Sequence, residues 1–117
     1  MDPDTATSQQ TQTNNKVLPP FNVVLLDDQF HSYDYVIRMM RRLFNHSDSR
    51  ALAIATAVDK HGRVVCLTTH KELAELKRDQ ILAFGRDEAI AACVGSMTAI
   101  IEPAQDPEEG GDSGDPA

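Results

Sequence analysis

Residues 21–37 read Phe-Asn-Val-Val-Leu-Leu-Asp-Asp-Gln-Phe-His-Ser-Tyr-Asp-Tyr-Val-Ile, and one local pattern gives way to another inside them. Phe21–Leu26 is short and rich in β-formers, bounded by Pro20 and by Asp27-Asp28, so it predicts a strand. Ser32 can cap a helix that has Asp34 in its first turn. Val36, Ile37, Met40, Leu43 and Phe44 then recur at i, i+1, i+4, i+7 and i+8, which makes one apolar helical stripe. The polar turn between strand and helix is a usual location for binding groups. Its carboxylates could hold a cation, either a metal or an ammonium, and its plainer reading is a turn with caps.

Outward from this passage the pattern continues. Asn45-His46-Ser47-Asp48 breaks the first helix, and Asp48 is the expected cap of a second, whose Ala51, Ile54, Ala55 and Val58 share a face. Gly62 ends it. Residues 63–67 predict a second strand. Thr69-His70-Lys71-Glu72 has the spacing of a capping box, so a third helix is expected from there, with Leu73, Leu76, Ile81 and Phe84 inward and Gly85 at its end. Residues 92–101 predict the last strand, apolar through Val94, Met97, Ile100 and Ile101. The order β-α-α-β-α-β gives an α/β (α+β) two-layer sandwich, a three-stranded sheet covered by three helices. Its core is small, so its stability is expected to be modest.

The flanks differ in composition. Residues 1–19 are Thr/Gln/Asn-rich and end in a proline, which predicts a disordered N-terminal extension; residues 103–117 are Pro/Gly/Asp/Glu-rich and predict a disordered acidic tail. Residues 20–102 are the expected single domain of this 117-residue chain. The net charge of −7 is uneven, with −1 in residues 1–19, −1 in 20–102 and −5 in 103–117. A nearly neutral domain does not suit phosphate neutralisation, so no nucleic-acid partner is expected; Arg38, Arg41 and Arg42 read as the wet side of a helix. No apolar run approaches the roughly 18 residues of a membrane span, and Met-Asp-Pro-Asp-Thr at the start has no signal-like apolar stretch. Two cysteines are too few for a disulfide scaffold, so a reduced, cytoplasmic location is the default.

Catalytic signatures are scarce. The chain has no GxGxxG, no GxxxxGK[ST] and no GxSxG, and His31, His46, His61 and His70 lack zinc-ligand spacing. Cys66, in mid-strand, reads as a buried inert thiol. Asp59 sits at the end of the second helix, where the dipole disfavours an anion, and such a local misfit suggests use. Asp27, Asp28 and Asp59 could in principle hold Mg²⁺, but nothing supplies a substrate site, so neither enzyme activity nor a cofactor or metal is expected.

Three ordered motifs carry a resemblance. The 21–37 string resembles the opening of the ClpS adaptor family, where a strand is followed by Asn-Asp-Asp, an aromatic, Thr-Pro-Met and an apolar helix. Ala57-Val58-Asp59-Lys60-His61-Gly62-Arg63-Val64-Val65-Cys66 is similar to that family's Val-His-x-x-Gly segment running into a strand. Glu72-Leu73-Ala74-Glu75-Leu76-Lys77 resembles its Glu-x-Ala-Glu-x-Lys helix. The resemblance spans residues 20–102 and implies a monomeric, non-enzymatic adaptor. Such an adaptor binds proteins by a destabilising N-terminal residue, an N-degron. It delivers them to a Clp AAA+ unfoldase of the ClpA or ClpC type, docking on the unfoldase's N-terminal domain.

The resemblance also implies site residues. The family holds the substrate's α-amino group with the Asn, the last Asp of the Asn-Asp-Asp run and the His; these positions are Asp27, Gln29 and Asp59 here, and together with Asp28 they make the expected amine-binding site. None of the three is the family's residue. The ligand is nevertheless a cation, with a pKa of about 7.7–8.0. Gln29 removes one carboxylate while Asp27 and Asp59 supply two, so acceptors remain. For the substrate's side chain the resemblance implies a pocket of His31, Tyr33, Val36, Ala55, Val58 and Met97, in which Tyr33 and Ala55 stand for methionines and His31 for a threonine. It assigns unfoldase docking to Glu72, Glu75 and Lys77. The alternative is a regulator that docks on the unfoldase without recognising amines.

Overall fold

β1 (Phe21–Leu26) is the central strand of a three-stranded antiparallel sheet. In the computed structural model, which describes residues 18–104, β2 (Arg63–Thr69) lies on one side of it and β3 (Thr98–Pro103) on the other. Phe21 faces Thr69 and Pro103, and Leu26 faces Arg63 and Thr98. α1 (Tyr33–Phe44), α2 (Asp48–His61) and α3 (Lys71–Leu82) complete the order β-α-α-β-α-β read from the sequence. The expected extension before residue 18 and the expected acidic tail from 105 onward lie outside the described residues. Among the described residues no helix is long and apolar enough to cross a membrane.

Alternation along β1 sorts its side chains. Val23 and Leu25 point into the main core with Tyr35, Val36, Met39 and Met40 of α1, Ala51, Ile54, Ala55 and Val58 of α2, and Ala74 and Ile81 of α3. The helices therefore cover one face. On the other, Val24 lies between Val65 and Ile100, both partly exposed. A bulge opposite Val23-Val24 leaves Cys66 without a partner in the ladder and turns it into the core. Burial pushes its thiol up to about 12, which leaves it a neutral packing group at physiological pH.

Local chemistry sets most helix ends. Ser32 Oγ accepts the N–H of Tyr35 at the start of α1, and Asn45 at φ 58° closes its far end. Gly62 at φ 82° ends α2, its N–H bonded 2.9 Å from Val58 O.

Several expectations need correction. The cap of α2 is Ser47, whose Oγ accepts from Arg50 N–H at 3.1 Å, and Asp48 is the first helical residue. The capping box at 69–72 does not form: β2 runs through Thr69, and His70 is the N-cap without a side-chain cap bond. α3 ends at Leu82 with Ala83 as its C-cap, three residues short of Gly85, and on it Ala74 and Ile81 are the buried residues while Leu76 is half exposed, because only a narrow stripe of this helix meets the sheet. Finally, the last strand starts at Thr98, not at 92. Val94, expected inside, is 94 % exposed. Residues 85–96 contain Gly85, Gly95 and three alanines, all poor strand formers, and their polar groups bond outside the sheet.

Candidate functional site

The 27–33 turn is fastened at its first residue, where the Asp27 N–H donates to Gly62 O at 3.0 Å. This ties the end of β1 to the end of α2 and brings the turn to Asp59. Tyr33, the first residue of α1, crosses to α2 and donates its hydroxyl to Asp59 Oδ2 at 2.9 Å. The phenol is held above its ordinary 10.0, first by that hydrogen bond, then by partial desolvation and the Asp59 charge, with the Asp27 charge adding a little; Thr56 opposes the rise. Asp59 thus holds the exposed hydroxyl directly, and Asp27 acts on it only weakly through its charge. Both carboxylates are exposed to solvent, as is Tyr33.

Gln29 is also exposed and adopts φ 73°, an uncommon left-handed conformation for a residue other than glycine. Beneath this surface, Val36, Ala55, Val58 and Met97 are each 3 % exposed or less and belong to the main core. Tyr33 is an i, i+3 neighbour of Val36 on α1 and is bonded to Asp59, the residue after Val58.

Asp28 and His31 go elsewhere. Asp28 Oδ1 accepts the Phe30 N–H at 2.9 Å and lies 2.7 Å from His31 Nδ1. His31 Nε2 lies 2.8 Å from Gly95 O and 3.2 Å from Cys93 Sγ. The His31 side chain is almost fully buried. Asp87, 3 % exposed, accepts the Ser32 N–H at 2.6 Å and the Ala89 N–H at 2.9 Å. Burial opposes its ionisation, but these N–H donors outweigh burial and hold its carboxyl below the usual 3.8. Cys93 Sγ accepts the Asp87 N–H at 3.1 Å, Gly85 N–H donates to Ser96 Oγ at 2.6 Å, and the Tyr35 hydroxyl donates to Gly85 O. Residues 85–97 are therefore laced to the turn and to the start of α1.

Asp87, Cys93 and Thr56 are the residues that sequence reasoning missed. The only local signal was the glycine and alanine content of 85–96, which argues against a strand without saying where the segment packs.

The α3 residues divide as well. Glu72 is exposed and Glu75 is half-buried. Lys77 is half-buried: its Nζ donates to Leu43 O at the end of α1 and stands 5.7 Å from the centre of the Phe44 ring. Next to Glu72 a mostly apolar cleft of ≈ 360 Å³ is lined by Leu18, Pro19, Phe21, His70 and Lys71. A wider cleft, ≈ 600 Å³, runs along the outer side of α1 past Arg38, Arg41 and Arg42 and includes none of the expected site residues. Among the described residues, no group of three or more His, Cys, Asp or Glu side chains is placed to hold a metal ion.

Known proteins of this shape and sequence agree with one another. Residues 16–91 match the family model described as ATP-dependent Clp protease adaptor protein ClpS. The ATP-dependent Clp protease adapter protein ClpS of Aromatoleum aromaticum is 34% identical over 84 residues, covering 71% of this chain and 82% of the relative. That of Hydrogenovibrio crunogenus is 35% identical over 74 residues, covering 62% and 71%. Among solved structures, Agrobacterium tumefaciens ClpS2 bound to L-phenylalaninamide superposes with a TM-score of 0.63 at 19% identity, over 74% of this chain and 98% of that one.

Proposed function

The chain belongs to the ClpS family of ATP-dependent Clp protease adaptors, and we propose that it holds protein substrates by their N-terminal residue and presents them to a Clp AAA+ unfoldase of the ClpA or ClpC type. The observation that carries this reading is the exposed Asp59 carboxylate, held at 2.9 Å by the Tyr33 hydroxyl, with exposed Asp27 tied through its N–H to Gly62 at the end of the same helix. The two carboxylates make a negative, hydrogen-bond-accepting mouth suited to an α-ammonium. The resemblance to a relative bound to L-phenylalaninamide, an amino acid amide with a free amine, supports the same ligand class. In this reading Tyr33 turns aside and the substrate's first side chain enters over Val36, Ala55, Val58 and Met97. Docking uses the outer side of α3 at exposed Glu72 and half-buried Glu75. Lys77 contributes less, because its ammonium is already engaged with Leu43 O. The adaptor acts in the cytoplasm and as a monomer.

Titration of short peptides, free and N-acetylated, tests it. A free-amine peptide is expected to bind and its acetylated twin is not. Binding is expected to fade as pH rises past the amine's pKa of about 7.7–8.0, because the cation is lost. Equal affinity for both forms overturns the reading.

One observation favours the alternative of a regulator that docks without amine recognition. The residues assigned to the side-chain pocket are closed into the core, and Tyr33 occupies Asp59. Unfoldase binding without any peptide binding would select it.

A further inference from the structure

Two features of the chain play no part in the amine or docking sites: the arginines of α1 and the acidic residues after Ala104. Arg38, Arg41 and Arg42 are exposed along the ≈ 600 Å³ cleft on the outer side of α1, where Asp34 is the only carboxylate among the lining residues. A second cleft, ≈ 410 Å³, shares Asp34, Arg38 and Arg42 with it and continues to Phe84 and Arg86. Of the carboxylates added there, Asp87 is buried and spent on the Ser32 and Ala89 N–H groups, and only Glu88 is exposed. Phe84 gathers two of the guanidiniums: its ring centre lies 6.0 Å from the Arg38 guanidinium carbon and 5.7 Å from that of Arg42. Among the described residues neither of these two has a carboxylate within ion-pair distance, whereas Arg41 is bonded to Asp48 at 3.0 Å. Like charges four positions apart on a helix repel. The Arg38–Arg42 pair is thus held ready for an anion that the described residues do not supply.

We propose that residues 105–117 of this chain dock on the outer side of α1, with their carboxylates on Arg38 and Arg42. The segment holds Asp106, Glu108, Glu109, Asp112 and Asp115 and no basic residue, so it carries −5 of the chain's net −7. It starts within reach. The Ala104 N–H donates to Pro20 O at 2.9 Å, beside the start of β1. Lys71, the first residue of α3, stands 5.8 Å from the Phe21 ring centre, and about 9 Å further along α3 Lys77 donates to Leu43 O at the end of α1. The segment has thirteen residues. A chain of that length spans at most about 43–47 Å when extended and averages about 18–22 Å as a coil, so the far end of α1 lies inside its range. Tethering puts its local concentration on the order of millimolar, so contacts too weak to hold a free peptide can hold this one. A free acidic partner of α1 must then displace it. This inference does not rest on the amine reading.

The test uses the full chain, isotope-labelled for magnetic resonance, with a nitroxide on Ser113→Cys; Cys66 and Cys93 are buried, so the nitroxide goes to the added thiol. Backbone N–H signals are compared with the nitroxide oxidised and reduced. At low salt those of Arg38, Arg41 and Arg42 are expected to lose most of their intensity, while that of Val65 on the open face of the sheet keeps its own. The loss is expected to vanish at about 1 M salt, where the screening length is about 3 Å. It is also expected to vanish in Arg38→Gln/Arg42→Gln, checked for folding by the same spectrum. Asp106→Asn/Glu108→Gln/Glu109→Gln leaves the domain's own residues untouched and is expected to reduce it. Loss spread evenly over the surface, centred on Lys71 or on the 27–33 turn, or unchanged in either variant overturns the proposal. So does loss that passes only from a nitroxide-bearing copy to a separate isotope-labelled one and rises with concentration, because the occupant is then a second copy.

Discussion

Within residues 27–33, Asp27 and Tyr33 lie at the surface with Asp59, whereas Asp28 and His31, two of the residues between them, are drawn to Gly95 and Cys93. The first group is exposed, and its carboxylates have at most a neutral hydroxyl between them. In the second group the protein itself satisfies the polar atoms: Asp28 by His31 and Phe30, and the neighbouring Asp87 by Ser32 and Ala89. One short turn thus carries two kinds of polar group. Groups with partners inside the chain fix the backbone, and groups without them keep their acceptors facing solvent. Substitutions on the first side should change binding and spare stability; those on the second should do the reverse.

Asp59→Ala is the largest expected effect. Removing one partner of a desolvated ion pair costs about 2–5 kcal/mol, or tens to thousands of fold in affinity for a free-amine peptide. Chemical stability should stay within about 0.5 kcal/mol, since Asp59 is exposed. Calorimetric titration beside urea unfolding reads both, and a variant that unfolds early but binds normally would break the comparison.

Asp87→Ala should do the opposite. It leaves the Ser32 and Ala89 N–H groups unpaired and costs about 1–3 kcal/mol of stability. A domain of this size loses roughly 4–8 °C of melting temperature per kcal/mol. The effect has a pH signature. The folded-state pKa of Asp87 is depressed, so its stabilisation is present above the ordinary 3.8 and is lost as pH falls through the lower folded value. The gap between wild type and Asp87→Asn in urea unfolding should therefore be full at neutral pH and shrink below about pH 4. A gap independent of pH would count against the carboxylate's role.

Tyr33→Phe sharpens the exposed side. The hydroxyl competes with an incoming ammonium for Asp59 Oδ2, so its loss should tighten free-amine peptide binding roughly two- to tenfold. Weaker binding would mean that the hydroxyl contacts the ligand instead. The smallest effect tests the same division on α3. Glu72 makes no capping bond, so Glu72→Ala should leave stability within about 0.5 kcal/mol while weakening pull-down of the unfoldase N-terminal domain. Lys77→Met should cost about 0.3–1 kcal/mol through its lost bond at the end of α1.

Structure that is local is written most plainly in the sequence. β1 was located to the residue, and α1 from Ser32 and its apolar stripe, because strand bounds and helix caps are written within a few neighbouring residues. Sequence reading failed where two local devices competed. Thr69 was a plausible cap, but pairing with Phe21 drew it into β2 and the capping box was lost. The apolar residues at 92–97 suggested an early strand, but Cys93 and Gly95 are engaged with Asp87 and His31, and pairing with β1 begins only at Thr98.

Local pattern thus sets the order of elements, the core face of α2 and, through three spaced motifs, the family. Periodicity and capping are properties of residues one to four positions apart, and a motif is read in the same order in which it is written. Only the tertiary structure decided which polar groups meet. Tyr33 and Asp59 are 26 residues apart, Ser32 and Asp87 55, and His31 and Gly95 64. No local pattern encodes such pairs, because they form only once the helices have packed on one face of the sheet and brought the 27–33 turn, the end of α2 and the 85–97 segment to the same place.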